Sequence, residues 1–237
     1  MKYYYEGRVR FSEVDENQRM TPYTVLNYFQ DTATFQGEDV GLGIAHNRKQ
    51  NRAWMIVDMQ AHFFRYARFN ENIRVGTWSH GFRSLMATRD FSMESSSGDT
   101  LVLATSDWVF MDMKEGTPVV IPEEQIQGYG PNPAWKIPED LGRRKIRLPG
   151  NGEEQKKITI REEHLDVNGH MNNAQYVRLA RRFFPAGFEI HHLRVEWIRQ
   201  VMEGDVIVPV VGQRDGSIFV QFNDEQGEKY FVSEFSE

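Results

Sequence analysis

One short motif occurs twice in this chain. Asp15-Glu16-Asn17-Gln18-Arg19-Met20 and Asp166-Val167-Asn168-Gly169-His170-Met171 share the pattern D-x-N-x-x-M at an offset of 151 residues. Two weaker matches follow in the same order. Tyr66 to Ile73 pairs with Arg199 to Val206 at an offset of 133, and Ser97 to Val102 pairs with Gln226 to Phe231 at 129. No one match carries weight alone. Three in order, at a shrinking offset, argue for a duplicated unit whose first copy is longer between its helix and its second strand. The 237 residues are therefore read as two small domains.

Each half predicts a strand, a helix and then several strands. Thr21-Pro22 is a helix start: Thr caps free backbone N–H groups, and Pro at the first helical position lacks an N–H that would go unpaired anyway. Val25, Leu26, Phe29 and Ala33 fall on one helical face, and glycines at 37, 41 and 43 end the helix. Strands are expected over residues 54–66, 73–82, 85–93 and 100–113, with a turn at 96–99. In the second half Asn172 or Asn173 caps a helix running to about Phe184, before Pro185. Strands follow over 190–199, 206–214, 217–223 and 229–235, with Asp215-Gly216 as a hairpin turn.

Residues 114–155 hold six of the nine prolines. Proline at that density removes ladder donors and belongs outside a sheet, so this segment reads as a connector. The domains expected are 1–113, a basic linker over 114–155, and 156–237. One helix wrapped by an antiparallel sheet, duplicated, is an α+β fold with the double hot-dog layout. Pairing two such units covers the exposed sheet edge and helix face of each.

Composition narrows the chemistry. The chain has no cysteine, which excludes disulfides, thiolate metal sites and a cysteine nucleophile, and fits a reducing, cytoplasmic setting. No run of about 18 apolar residues predicts a membrane span. The start, Met1-Lys2-Tyr3-Tyr4-Tyr5-Glu6, resembles neither a secretory signal nor a transit peptide. A net charge of −6 speaks against nucleic acid as a partner. Yet residues 141–200 carry 12 Lys/Arg against 7 Asp/Glu, so that stretch is +5 and the remainder −11. It is either a solvated surface or a docking patch for an acidic partner. There is no G-x-S-x-G, H-E-x-x-H, P-loop or G-x-G-x-x-G signature, and neither a metal nor a cofactor is expected.

Asp166, Asn168 and His170 are the candidates for chemistry. Taken alone, D-x-N-x-H is a polar turn with an Asx-type cap. In a loop leading into a helix, however, the three can converge on one point beside the N–H groups of the helix start. Histidine passes protons near neutral pH, and an Asn amide can hold a water or a carbonyl oxygen. Those are the needs of a hydrolysis by water: a positioned water, a proton acceptor and donors for an oxyanion. In the first copy Asp15 and Asn17 persist, but Arg19 takes the histidine position, which marks a vestigial site. The remaining histidines form no metal-like cluster.

Residues 165–177, L-D-V-N-G-H-M-N-N-A-Q-Y-V, resemble the D-x-N-x-H-x-N-N-x-x-Y motif of acyl-acyl carrier protein (ACP) thioesterases. So do Trp54-Met55-Ile56-Val57, Arg65-Tyr66, Asn72 to Trp78, Ser106 to Met111 and Ile121-Pro122-Glu123-Glu124, in order along most of the chain. The resemblance implies catalytic roles for Asp166, Asn168 and His170, an acyl-chain pocket in the first domain, and ACP and a fatty acyl chain as partners. Docking of ACP would fall to Arg143, Arg144, Arg178, Arg181 and Arg182. In plant members a Glu-Cys pair follows on the next strand, and that Glu is proposed to activate the water. Here Gln200 and Val201 stand at those positions. Gln200 can orient water but cannot act as a base; Glu196 would share its face by strand alternation. The expected activity is hydrolysis of acyl-ACP to free fatty acid, ending fatty acid synthesis. The alternatives are a hot-dog acyl-CoA thioesterase and a non-catalytic acyl-binding protein. A homodimer is left open.

Overall fold

The computed structural model describes residues 1–138 and 145–237. The chain divides into two compact units, Met1–Leu141 and Gly142–Glu237, each a helix laid on an antiparallel sheet. Among the described residues, no helix is long and apolar enough to cross a membrane.

The first unit contains β1 (Tyr3–Arg8), α1 (Pro22–Asp39), α2 (Ile44–Lys49), β2 (Arg52–Phe63), β3 (Asn72–Arg83), β4 (Met86–Ser95), β5 (Thr100–Asp112), β6 (Thr117–Pro118) and α3 (Glu123–Tyr129). Its sheet runs β1-β3-β4-β5-β2, with β6 on β5, and its pairings are antiparallel. Pro22 opens α1 as expected, but the Thr21 hydroxyl pairs with that of Thr24 at 2.8 Å and caps no backbone N–H. Val25, Leu26 and Phe29 face the core, and Phe29 stacks on Phe91 of β4 at 4.9 Å. One turn later Ala33 is only half-buried, while Thr32 and Gln36 are buried. The cause is a polar cluster inside the unit. Gln36 Oε1 accepts from Arg89 Nη1 at 2.6 Å, and the same nitrogen donates to Thr77 Oγ1 at 3.0 Å. Burial lowers the Arg89 guanidinium to about 10.

The proline-rich segment is shared between the units. Ile121 packs with Ala87 and Phe110, Ile126 lies against that cluster, and the Ile137 N–H donates to Asp90 Oδ2 at 2.9 Å. After the undescribed residues, Ile146 and Leu148 pack on Phe219 and Val232.

The second unit contains β7 (Glu153–Glu154), β8 (Ile158–Thr159), α4 (Asn173–Ala180), β9 (His192–Trp197), β10 (Val206–Arg214), β11 (Ser217–Asn223) and β12 (Lys229–Ser236). Its sheet runs β9-β12-β11-β10-β7, with β8 also on β10. Asn172 caps α4, its Oδ1 accepting from the Ala174 N–H at 2.8 Å. A 3-10 turn over Arg181–Phe183 finishes the helix before Pro185. Tyr176 turns inward, with its ring 5.1 Å from Phe231 of β12. Asp215 and Gly216 take left-handed φ of 51° and 79° and close the β10–β11 hairpin.

Candidate active site

Asp166 to Met171 fold back on themselves between β8 and α4. The Asp166 N–H donates to the His170 carbonyl at 2.8 Å, and the Gly169 N–H donates to the Asp166 carbonyl at 3.0 Å. Asp166 Oδ1 accepts the Asn168 N–H at 2.8 Å, an Asx turn. Leu165 and Met171 bridge across the base. Gly169 has φ 75°, and a β-carbon there would meet nothing, so only backbone strain opposes a larger residue. Asn168 is exposed, and Asp166 and His170 are half-buried. The turn brings these three together at the mouth of α4.

The first unit repeats the three bonds of this turn and adds one. The Asp15 N–H donates to the Arg19 carbonyl at 2.8 Å and the Gln18 N–H to the Asp15 carbonyl at 2.9 Å. Asp15 Oδ1 accepts from the Asn17 and Arg19 N–H groups at 3.0 and 2.9 Å. Gln18, at φ 60°, stands where Gly169 does. The Arg19 guanidinium lies 5.7 Å over the Tyr66 ring.

Each turn is stitched to a second segment. The Met171 N–H donates to the Val201 carbonyl at 2.8 Å, as the Met20 N–H does to Ala67. Likewise the Gly204 N–H donates to Ile160 as the Asn70 N–H does to Val9. These bonds pair Ala67 with Val201 and Asn70 with Gly204, an offset of 134, one residue more than the sequence alignment. Residue likeness was the wrong guide there. Backbone conformation decides the match, because Asn70 and Gly204 are both left-handed, with φ of 69° and 86°. The offset of 129 further on holds: Ser95 to Asp99 repeats as Asp224 to Glu228.

The same segment corrects the expectation for Glu196. Strand β9 ends at Trp197, and the Ile198 and Arg199 N–H groups both donate to the Tyr230 carbonyl, at 2.9 and 3.2 Å. Two residues against one partner break the alternation, so it no longer places Glu196 and Gln200 on a shared face. Glu196 Oε1 instead accepts the Ile146 N–H at 2.7 Å and fastens the connector. Gln200 is exposed, next to Val201, which is buried. A hydrogen bond joins the Val201 backbone to the Tyr176 hydroxyl, and burial pushes that phenol well above its ordinary range. Tyr176 thus ties α4 to the segment carrying Gln200. The motif contained this tyrosine, but its clamping role needed the fold.

The basic stretch is less basic in space than in sequence. Lys157 pairs with Glu225 at 2.8 Å, Arg194 with Glu234 at 2.6 Å, and Arg199 with Asp224. All three acids lie outside residues 141–200. Arg178 and Arg182 are exposed and Arg181 is half-buried at the end of α4. Arg143 and Arg144 lie outside the described residues.

The profile of the acyl-ACP thioesterase N-terminal domain matches residues 1–129, and that of the C-terminal domain matches 149–230. A chloroplastic acyl-(acyl-carrier-protein) hydrolase of Cuphea viscosissima is 26% identical over 216 residues, covering 85% of this chain and 52% of the relative. The chloroplastic palmitoyl-acyl carrier protein thioesterase of Arabidopsis thaliana is 27% identical, covering 76% and 46%. The chain thus spans about half the length of these plant relatives. The fold matches the crystal structure of an acyl-ACP thioesterase from Bacteroides thetaiotaomicron with TM-score 0.89 and 20% identity, over 99% of this chain and 97% of that one. It also matches the 12:0-ACP thioesterase from Umbellularia californica, with TM-score 0.86 and 21% identity, over 99% and 96%.

Proposed function

The chain belongs to the acyl-ACP thioesterase family, and from that premise we propose that it hydrolyses the thioester of acyl-ACP, releasing free fatty acid and ACP in the cytoplasm. One observation carries the site assignment: of two turns that share three hydrogen bonds, only the second holds a histidine. Asn168 orients the attacking water or the thioester carbonyl, and His170 takes the water's proton as the oxygen bonds to the carbonyl carbon. N–H groups at the start of α4 steady the oxyanion. Collapse of the tetrahedral adduct breaks the C–S bond, and the proton leaves on the thiol. Asp166 is a positioning residue, since its carboxylate already accepts the Asn168 N–H.

Gln200 orients the water, taking the place of the plant glutamate. Gln200→Glu is expected to keep or raise kcat and to add a limb to the pH–rate profile, and Gln200→Ala to lower kcat. Unchanged kinetics in both would remove Gln200 from the site.

ACP is a small acidic protein, and Arg178, Arg181 and Arg182, with Arg143 and Arg144, are the residues proposed to dock it. Charge attraction of this kind speeds encounter and is screened over about 8 Å at physiological ionic strength. Arg181→Glu with Arg182→Glu, or Arg143→Glu with Arg144→Glu, should lower kcat/KM on acyl-ACP and flatten its salt dependence. A short carrier-free thioester should be cleaved as before. Assaying one acyl chain on ACP and on CoA tests the reading itself. Preference for CoA would favour the acyl-CoA alternative, and no hydrolysis of either would favour acyl binding alone.

A further inference from the structure

Strand β1 is the outer strand of the first unit and pairs on one side, with β3. The register carries on past its end: the Val9 N–H donates to the Glu71 carbonyl and the Val9 carbonyl accepts from the Asn70 N–H, both at 2.9 Å. Antiparallel bonding alternates along a strand, so Tyr3, Tyr5 and Gly7 also bond to β3. The backbone groups of Lys2, Tyr4, Glu6 and Arg8 therefore point out of the sheet, and these residues are exposed. Such an edge is a template for another strand, and natural sheets blunt it with proline, a bulge, a cover or charge. Strand β1 contains no proline and no shift of register. By contrast, the outer side of β10 in the second unit is covered by the short strands β7 and β8. Aromatic surface lies open beside the β1 edge. On the helix face the exposed Tyr5 ring is 5.5 Å from the exposed ring of Phe35 in α1. On the other face the exposed Tyr4 ring lies 4.7 Å from the Arg74 guanidinium.

We propose that β1 pairs antiparallel with β1 of a second copy of this chain, about a two-fold axis at Tyr4. The outward backbone groups belong to even-numbered residues, so the hydrogen-bonded pairs must join even residues. With Tyr4 on the axis, it exchanges both bonds with its own copy, and Lys2 exchanges them with Glu6 on either side. Opposite charges then meet twice across the pair. Tyr3 falls opposite Tyr5 on the helix face, which brings the partner strand beside Tyr5 and Phe35. The charges that could blunt this edge therefore match each other in this register. An axis at Tyr5 sets Lys2 against Arg8, and one at Glu6 sets Glu6 against itself. An axis at Gly7 matches Glu6 with Arg8 but pairs Tyr4 and Tyr5 with residues beyond the end of β1. Axes nearer the ends of the strand shorten the overlap. Within one chain, Lys2 Nζ lies over the Trp78 ring at 4.2 Å, and Arg74, opposite Glu6 in register, donates to Glu94 at 2.6 Å. Both Lys2 and Glu6 stay exposed at the rim.

Light scattering on the full chain over a range of concentrations tests the proposal, and the wild type should reach the mass of a dimer. Glu6→Lys brings like charges together and should halve that mass at the same concentration. Combining Lys2→Glu with Glu6→Lys restores opposite charges and should restore the dimer. An axis at Gly7 would give no such rescue, because Arg8 would still face a lysine. The chain has no cysteine, so Tyr4→Cys introduces a single thiol on the axis. Hydrogen-bonded antiparallel residues have Cα atoms about 5.5 Å apart, within disulfide reach. Oxidation should link Tyr4→Cys into a covalent dimer. It should leave Arg8→Cys, on the same face but away from the axis, unlinked. Circular dichroism checks that each variant keeps its sheet; if Glu6→Lys fails to fold, the cysteine variants decide the matter. A monomeric wild type overturns the proposal. So does a dimer indifferent to Glu6→Lys, a double variant that stays monomeric, or the absence of a link at Tyr4→Cys.

Discussion

His170→Ala and Asn168→Ala are each expected to lower kcat/KM on acyl-ACP by roughly 100-fold or more, the usual scale for losing an acid–base or oxyanion group. The fold should survive both changes. The turn is held by backbone groups and by the Asp166 carboxylate. Arg19→Ala is the matched control, because Arg19 occupies the same place in the same turn of the first unit. Its loss should leave turnover within about twofold on the proposed one-site scheme. Near-wild-type turnover in His170→Ala would move the site elsewhere. Equal damage from Arg19→Ala would mean that both turns contribute.

Phe231→Ala should be the most destabilising change in the second unit, costing about 3–5 kcal/mol. The ring is fully buried and meets three other aromatics, with centroids 5.1 Å from Tyr176, 5.4 Å from Phe222 and 6.2 Å from Trp197. Removing it opens space under Tyr176, the residue that ties α4 to Val201. Turnover should therefore fall at temperatures below the melting transition, as Gln200 loses its fixed place beside the turn. Urea denaturation gives the stability. Phe11→Ala is the comparison, since Phe11 is 82% exposed and its loss should stay within about 0.5 kcal/mol. A loss below about 1 kcal/mol for Phe231→Ala would mean that this cluster is not the core of the unit.

Much of this could be read from the residues. Strands β10 and β11 agree with expectation to the residue, because Asp215-Gly216 fixes the hairpin from both sides. The duplication and the turn at 166–171 were legible because left-handed and capping positions demand particular side chains. What stayed hidden depended on distant partners. The inward places of Thr32 and Gln36 follow from the buried Arg89 on another element, so hydrophobic spacing pointed to Ala33 instead. The short helix α2 follows Gly43 with no apolar periodicity to announce it. The bulge after Trp197 is a property of pairing with Tyr230, and nothing in residues 196–200 signals it. The charge count likewise could not show that the acids pairing with Lys157, Arg194 and Arg199 come from β12 and from the turn before it.

The matching turns also separate two kinds of sequence constraint. In both copies an aspartate gathers the backbone so that a strand can hand over to a helix, and it does so whether or not anything reacts nearby. A substitution at Asp15 or at Asp166 would therefore be opposed by folding. The His170 imidazole enters none of the bonds described for the turn, and arginine stands at its counterpart in a turn closed by the same backbone pairings. Within this architecture an aspartate at the turn reports an intact scaffold. On the proposed scheme the histidine four residues later would distinguish a working copy from a silent one, and a chain with arginine at both places would keep its shape with no imidazole in either turn.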